Sequence, residues 1–323
     1  MNVYLTLCVT VCLAVLLVMT LVGVVVGNLA LGLLRRFRVD WLLRSPSLLF
    51  CIRMFPFLLG AMTTFAFVLP SFLLLEPKQT PETAEPHLWL LSGLAAVALC
   101  AMAARWIRLM YQTIRKSREW LRSGRRIEIP TVSVPVYAIE TPESLVAVTG
   151  IFSTRVFIGR QALAGLTDDE LLAAVAHELA HVRSLDNLKQ LLLRITRLPN
   201  CFAHLGWSES AWRDSAEFAA DRDALERGGS PLDLASALVK VSRLKSSEGV
   251  AALAACQLIP ARDGSAVALR VQYLREVLVA PQGARQTPRG LILLAGVAAF
   301  AAYLVAMPVA LPLTHHAIEW LVR

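Results

Sequence analysis

Two histidines four residues apart carry the first chemical signal, in His177-Glu178-Leu179-Ala180-His181. On an α-helix that spacing puts both side chains on one face, a turn from each other. Two imidazoles so placed can share one Zn2+ at about 2.0–2.1 Å. Glu178 lies between them in sequence, placed to take a proton from a water that the ion has acidified. Hydrolysis by zinc needs a third protein ligand and an open position beside it. Ala211 to Leu225 (AWRDSAEFAADRDAL) offers Glu217 and Asp221, four apart on one helix face among small side chains. Glu217 reads as the third ligand. Asp221 reads as the carboxylate that accepts a ring N–H from one of the ligating histidines. Asp214, one turn before Glu217, is a rival for the same face, whereas Asp223 lies well round the helix. His204, in an apolar stretch, is a weaker candidate for a ligand or a transition-state donor and reads equally as structural, and Tyr273 is another weak candidate for such a donor. Asp186, five residues after His181, takes a supporting role, orienting local backbone or Arg183.

These residues need particular elements to hold them. Thr167-Asp168-Asp169-Glu170 is a capping box at the start of the histidine helix, and its acids suit the positive end of the helix dipole. Ala173, Ala174, Ala176 and Ala180 keep that helix slim enough for a close neighbour. Ser230-Pro231-Leu232-Asp233 is a second helix start. Before the motif, Thr131–Ile139 alternates and is β-branched, and Ser144–Val148 and Arg155–Ile158 read as two more strands around a turn at Gly150. The order is a small sheet followed by helices. Ser153–Ile158 is the natural sheet edge along which a peptide substrate would add as a strand, and it reads equally as an ordinary core hairpin.

The 323 residues are 56% hydrophobic and only 17% charged, more apolar than soluble domains. Four stretches, about 3–27, 55–75, 88–104 and 291–313, are long and apolar enough to cross about 30 Å of hydrocarbon. The first lacks a basic start and a small-x-small cleavage site, so it reads as an anchor and not as a signal peptide. Arg35, Arg36, Arg38 and Arg44, the arginines from 105 to 126, and Arg285 and Arg289 fall on one side. Glu76, Glu82 and Glu85 fall on the other. Positive charge marks the cytoplasmic side. The expected topology therefore puts both termini outside the cell's inner membrane and residues 105–289 in the cytoplasm. Three domains follow: spans at 1–104, a soluble domain at 105–289, and the fourth span with its tail at 290–323. The net charge of +8 does not indicate nucleic acid, because no basic face interleaved with aromatics is present. The six cysteines form no CxxC pair, so neither a disulfide framework nor a thiolate metal site is expected. The spans also lack the intramembrane acids of a channel or transporter.

HELAHVRSLDN, the upstream VTGIFSTRVFIGRQALAGLTDDEL and the later WRDSAEFAADRDAL together resemble the BlaR/MecR family of membrane zinc peptidases. The order of three spans, a zinc domain and a fourth span is similar as well. The resemblance implies a mainly α integral membrane protein with four transmembrane helices and an α+β, gluzincin-like zinc peptidase domain holding a small sheet. It implies zinc on His177, His181 and Glu217, with Glu178 as the base. The receptors of that family continue past the fourth span into an extracellular penicillin-binding sensor. This sequence ends at Arg323, about ten residues beyond the span, so regulated proteolysis is expected and β-lactam sensing is not. A more distant similarity is to HtpX-like and CAAX prenyl endopeptidases, which share HExxH followed by an ExxxD helix but distribute their spans differently. The expected function is hydrolysis of a protein substrate, a cytoplasmic regulator or a membrane protein, at the bilayer's cytoplasmic face. The alternative is a metal-stabilised transducer or assembly platform with little peptidase activity.

Overall fold

The computed structural model describes residues 3–37, 45–76, 85–129, 132–140, 146–150, 153–197, 203–245, 256–257, 264–279, 301, 303, 305–317 and 319. Helix α1 (Val3–Arg36) is apolar until Arg35 and Arg36. Helix α2 (Pro46–Met62) starts on Ser45, whose side chain accepts from the Leu48 amide at 3.4 Å, with Pro46 in its first turn. A π-helical turn, Thr63–Val68, joins α2 to α3 (Leu69–Leu75). The π turn has a local cause. Pro70 lacks an N–H, and its ring would crowd the Ala66 carbonyl four residues back. Widening the helix relieves that crowding, and the Tyr303 hydroxyl donates to the Ala66 carbonyl at 2.9 Å.

Among the described residues, three helical runs are long and apolar enough to cross a membrane: Val3–Arg36, Pro46–Leu75 and Pro86–Ser123. The last, α4, is one helix of 38 residues. It fuses the expected third span with the basic segment after it, since nothing between Ala104 and Arg118 breaks a helix. At about 57 Å it is nearly twice the thickness of the hydrocarbon core. Of the expected fourth span, residues 291–300 lie outside the described residues. Residues 305–317 are helical, and the Ser71 hydroxyl donates to the Leu311 carbonyl at 3.0 Å. Of the charges that orient the chain, Arg38, Arg44, Glu82, Arg285 and Arg289 lie outside the described residues.

Beyond α4 a five-stranded sheet forms in the order β1-β2-β4-β3-β5. Its strands are β1 (Arg125–Ile127), β2 (Val136–Ile139), β3 (Val146–Thr149), β4 (Arg155–Gly159) and β5 (Cys256–Gln257). Among the described strands, only β2 and β4 pair in parallel. The strand expected from Thr131 begins at Val136, because Pro135 has no N–H to give a ladder. Gly150 has φ +97°, and a Cβ there would sit 2.2 Å from the Ser153 carbonyl oxygen. That turn therefore needs glycine. The expected substrate strand at Ser153–Ile158 is corrected: β4 is bonded to β2 on one side and β3 on the other, so it is no edge.

Both faces of the sheet are covered, and the period of two divides its residues between them. Val146, Val148, Val156 and Ile158 pack with Ala173 and Ala174 of α6 (Asp168–Arg183) and Leu234 and Leu238 of α9 (Pro231–Lys245). Ala147 and Phe157 face Trp120 near the end of α4, with the Trp120 and Phe157 rings 5.2 Å apart. The membrane-length α4 thus walls one face of the sheet. The remaining helices are α5 (Arg160–Gly165), α7 (Asp186–Ile195), α8 (Ala203–Glu226) and α10 (Gly264–Val279).

Candidate metal centre

Helix α6 begins with the expected capping box. Thr167 Oγ1 accepts from the Glu170 amide at 3.3 Å, and Glu170 Oε2 accepts from the Thr167 amide at 2.8 Å. Eight residues along the helix from Glu170 comes Glu178, fully buried, with His177 and His181 on either side. Their rings stand edge to face, with centroids 4.9 Å apart. Helix α8 packs beside α6 and sets Glu217 against both. Glu217 Oε2 is 3.5 Å from His177 Nε2, and Oε1 is 3.8 Å from His181 Nε2. One donor atom from each of His177, His181 and Glu217 falls within 4.8 Å of the others.

Each imidazole is turned by a carboxylate on its far nitrogen. His177 Nδ1 lies 2.9 Å from Asp221 Oδ1, and His181 Nδ1 lies 2.8 Å from Asp186 Oδ2. Both Nε2 atoms consequently face Glu217. His181 Nε2 is buried and has no hydrogen-bond partner. Leaving such an atom unpaired costs about 1–3 kcal/mol. An orphaned imidazole nitrogen beside a carboxylate and a second imidazole fits a zinc ion in both donor type and number.

Two members of the cluster were not assigned to it by sequence. Asp186 was expected to serve local backbone or Arg183, but it holds His181 instead. The turn at Ser184–Leu185 makes this possible, because Leu185 at φ 56° reverses the chain so that α7 starts with Asp186 under the ring. That left-handed leucine stores strain of about 1 kcal/mol. Arg183 pairs with Asp223 instead, at 3.0 Å from its Nε. Arg270, on α10, was missed altogether. Its Nε reaches Asp221 Oδ2 at 2.8 Å, its Nη2 reaches Asp221 Oδ1 at 2.5 Å, and its Nη1 reaches Glu217 Oε2 at 2.8 Å. A lone arginine in the apolar run Ala266-Val267-Ala268-Leu269-Arg270-Val271 was the available signal, since a buried guanidinium requires anionic partners.

The charges hold each other in place. Burial works against the charged form of Asp221 and Glu217, yet Arg270 and then His177 bring both below the usual carboxylate range. Burial also opposes a charge on His177, but hydrogen bonding to Asp221 and Glu217 raises its pKa to about 9. A metal taking its place there would displace that proton. Arg270 is itself held charged by the same carboxylates.

The rival residues lie elsewhere. Asp214 is exposed, and Asp223 is occupied by Arg183 and Arg227. His204 is thirteen residues before Glu217 on α8, roughly 20 Å along the helix. It packs on α1, its amide donating to Asn28 Oδ1 at 3.2 Å and its Nδ1 lying 3.3 Å from Arg35 Nη1. It is a docking residue and not a transition-state donor. Tyr273 packs edge-on against Phe218 at 5.6 Å, and burial raises its pKa.

Residues 115–270 match the sequence pattern of Peptidase family M48, a family of zinc metallopeptidases. The matched segment runs from the end of α4 through every residue of the cluster and ends on Arg270. Comparison with curated proteins finds no match.

Proposed function

We propose that this chain is a zinc endopeptidase that cleaves a protein substrate at the cytoplasmic face of a membrane. The observation that carries the reading is the buried His177–His181–Glu217 cluster, with His181 Nε2 orphaned and both rings aimed by carboxylates. The M48 match supports a peptidase. Zinc, when bound, would polarise the attacking water and the scissile carbonyl. His177, His181 and Glu217 would hold it. Glu178 takes the proton of that water and returns it to the leaving amine. Asp221 and Asp186 fix the two rings, and Arg270 keeps Asp221 ionised and stationary.

Packing and charge support this location for the substrate. Leu49 and Met54 of α2 pack on Trp212 and Ala216 of α8, one residue from Glu217. The cluster therefore lies next to the end of a membrane-length helix. The basic clusters in the sequence favour the cytoplasm for that end. The resemblance to BlaR/MecR proteins favours regulated proteolysis of a cytoplasmic regulator or a membrane protein.

Zinc content and cleavage of a generic unfolded protein such as β-casein, measured on detergent-purified full chain, test the reading. About one zinc per chain is expected in both wild type and Glu178→Gln. Cleavage should fall by about 10²–10⁴-fold in the variant. Cleavage retained by Glu178→Gln would overturn the assignment of the base. Zinc without cleavage in the wild type would favour a metal-stabilised transducer.

A further inference from the structure

Two arginines from separate membrane-length helices converge on the C-terminal end of α7. Arg53 of α2, only 1% exposed, donates from Nη2 to the Thr196 carbonyl at 2.7 Å. Arg105 of α4 donates from Nη1 to the carbonyls of Ile195 at 3.3 Å and Arg197 at 3.2 Å. Three consecutive carbonyls are thus gripped from the membrane side. Thr196 is the C-cap of α7, where carbonyls lack helical donors and carry the negative end of the dipole. Arginines suit that place electrically, and a buried arginine near a bilayer needs such a partner. Thr196 Oγ1 also lies 3.7 Å from Met54 Sδ, and Leu193 of α7 packs with Leu49 and Met54.

The other end of α7 is Asp186, which holds His181. Ten residues of helix join the two ends, a rod of about 15 Å. A shift of the C-terminal grip moves the carboxylate that sets the imidazole. We infer that Arg53 and Arg105 are positioning residues for the metal centre, anchoring α7 to the membrane helices so that Asp186 presents His181 to the ion. The inference rests on the zinc reading above. It makes the packing of the spans an input to metal geometry.

Zinc affinity, by chelator competition on detergent-purified full chain, and the visible spectrum of the Co2+-loaded protein test it without reference to turnover. Arg53→Met with Arg105→Met is expected to weaken zinc binding about tenfold, as loss of a ligand's hydrogen-bond support does, and to alter the Co2+ bands. In an Asp186→Asn background the same pair should add less than about twofold. Groups 15 Å apart ordinarily act additively, so this non-additivity separates a coupled rod from general loosening. Arg53→Lys, which still donates to Thr196, should recover most of the affinity. If Arg53→Met fails to fold, Arg105→Met alone carries the comparison. Unchanged affinity and spectrum in folded variants, or losses that multiply fully with Asp186→Asn, would overturn the inference while leaving the zinc reading intact. A wild type that binds no zinc would overturn both.

Discussion

Helix α6 carries two buried polar clusters, and they differ in whether they are closed. Near its start, Glu170 is fully engaged: Oε1 accepts from Ser236 at 2.5 Å, while Oε2 accepts from Lys240 at 2.6 Å and from the Thr167 amide. About 10 Å further along, His177 and His181 meet Glu217, Asp221 and Arg270, and the His181 Nε2 is left without a hydrogen bond. The first cluster pins α9 to α6, and both carboxylate oxygens of Glu170 are matched by protein donors. The second has every group pinned from behind and one donor atom unmatched in front. A satisfied buried network supports the fold, whereas one left open marks a place for chemistry.

The largest separation of the two should come from His181→Ala. Zinc content is expected to fall from about one per chain to none, and cleavage to background, with the melting temperature of the metal-free protein little changed. A large loss of metal-free stability would show that the second cluster is also structural. Arg270→Met comes next. It leaves Asp221 and Glu217 buried without their cation, a change that costs about 3–5 kcal/mol. Thermal unfolding in detergent should show the loss, and zinc should reduce it by supplying positive charge beside Glu217. Asp186→Asn should retain the metal but weaken it about 10–100-fold by chelator competition.

Glu170→Ala should have the smallest effect, about 2 kcal/mol from the lost cap and the lost bonds to Lys240 and Ser236, with zinc affinity unchanged. Its acid response has a definite sign. Burial opposes the Glu170 charge, but the bonds from Lys240, Ser236 and the Thr167 amide lower its pKa from 4.5 to about 2. The unfolded chain therefore takes up the proton first. The stabilisation is fully present above pH 4.5 and is lost as the pH falls toward 2. Melting curves across that interval should show a steeper acid loss in wild type than in Glu170→Ala. Parallel curves would mean that this cluster is not the closed one.

Local patterns were enough to read the parts of the site that a single helix determines. His177, Glu178 and His181 follow from a four-residue spacing, the Thr167–Glu170 box from a cap sequence, and Glu217 with Asp221 from one turn of α8. Each depends on contacts within a few residues, which the chain's own periodicity encodes. The membrane-length helices were legible for the same reason, since apolar length is a property of a continuous stretch. Tertiary structure alone decided which groups meet across elements. Arg270 lies 49 residues from Asp221, Asp186 reaches His181 only through a left-handed leucine, and His204 turned to α1 because Gly32 and Arg35 await it there. The strand expected at the sheet's edge became its centre when the chain crossed from β2 through β3 to β4. Such pairings depend on the free energy of bringing distant segments together. No spacing in the sequence records that energy.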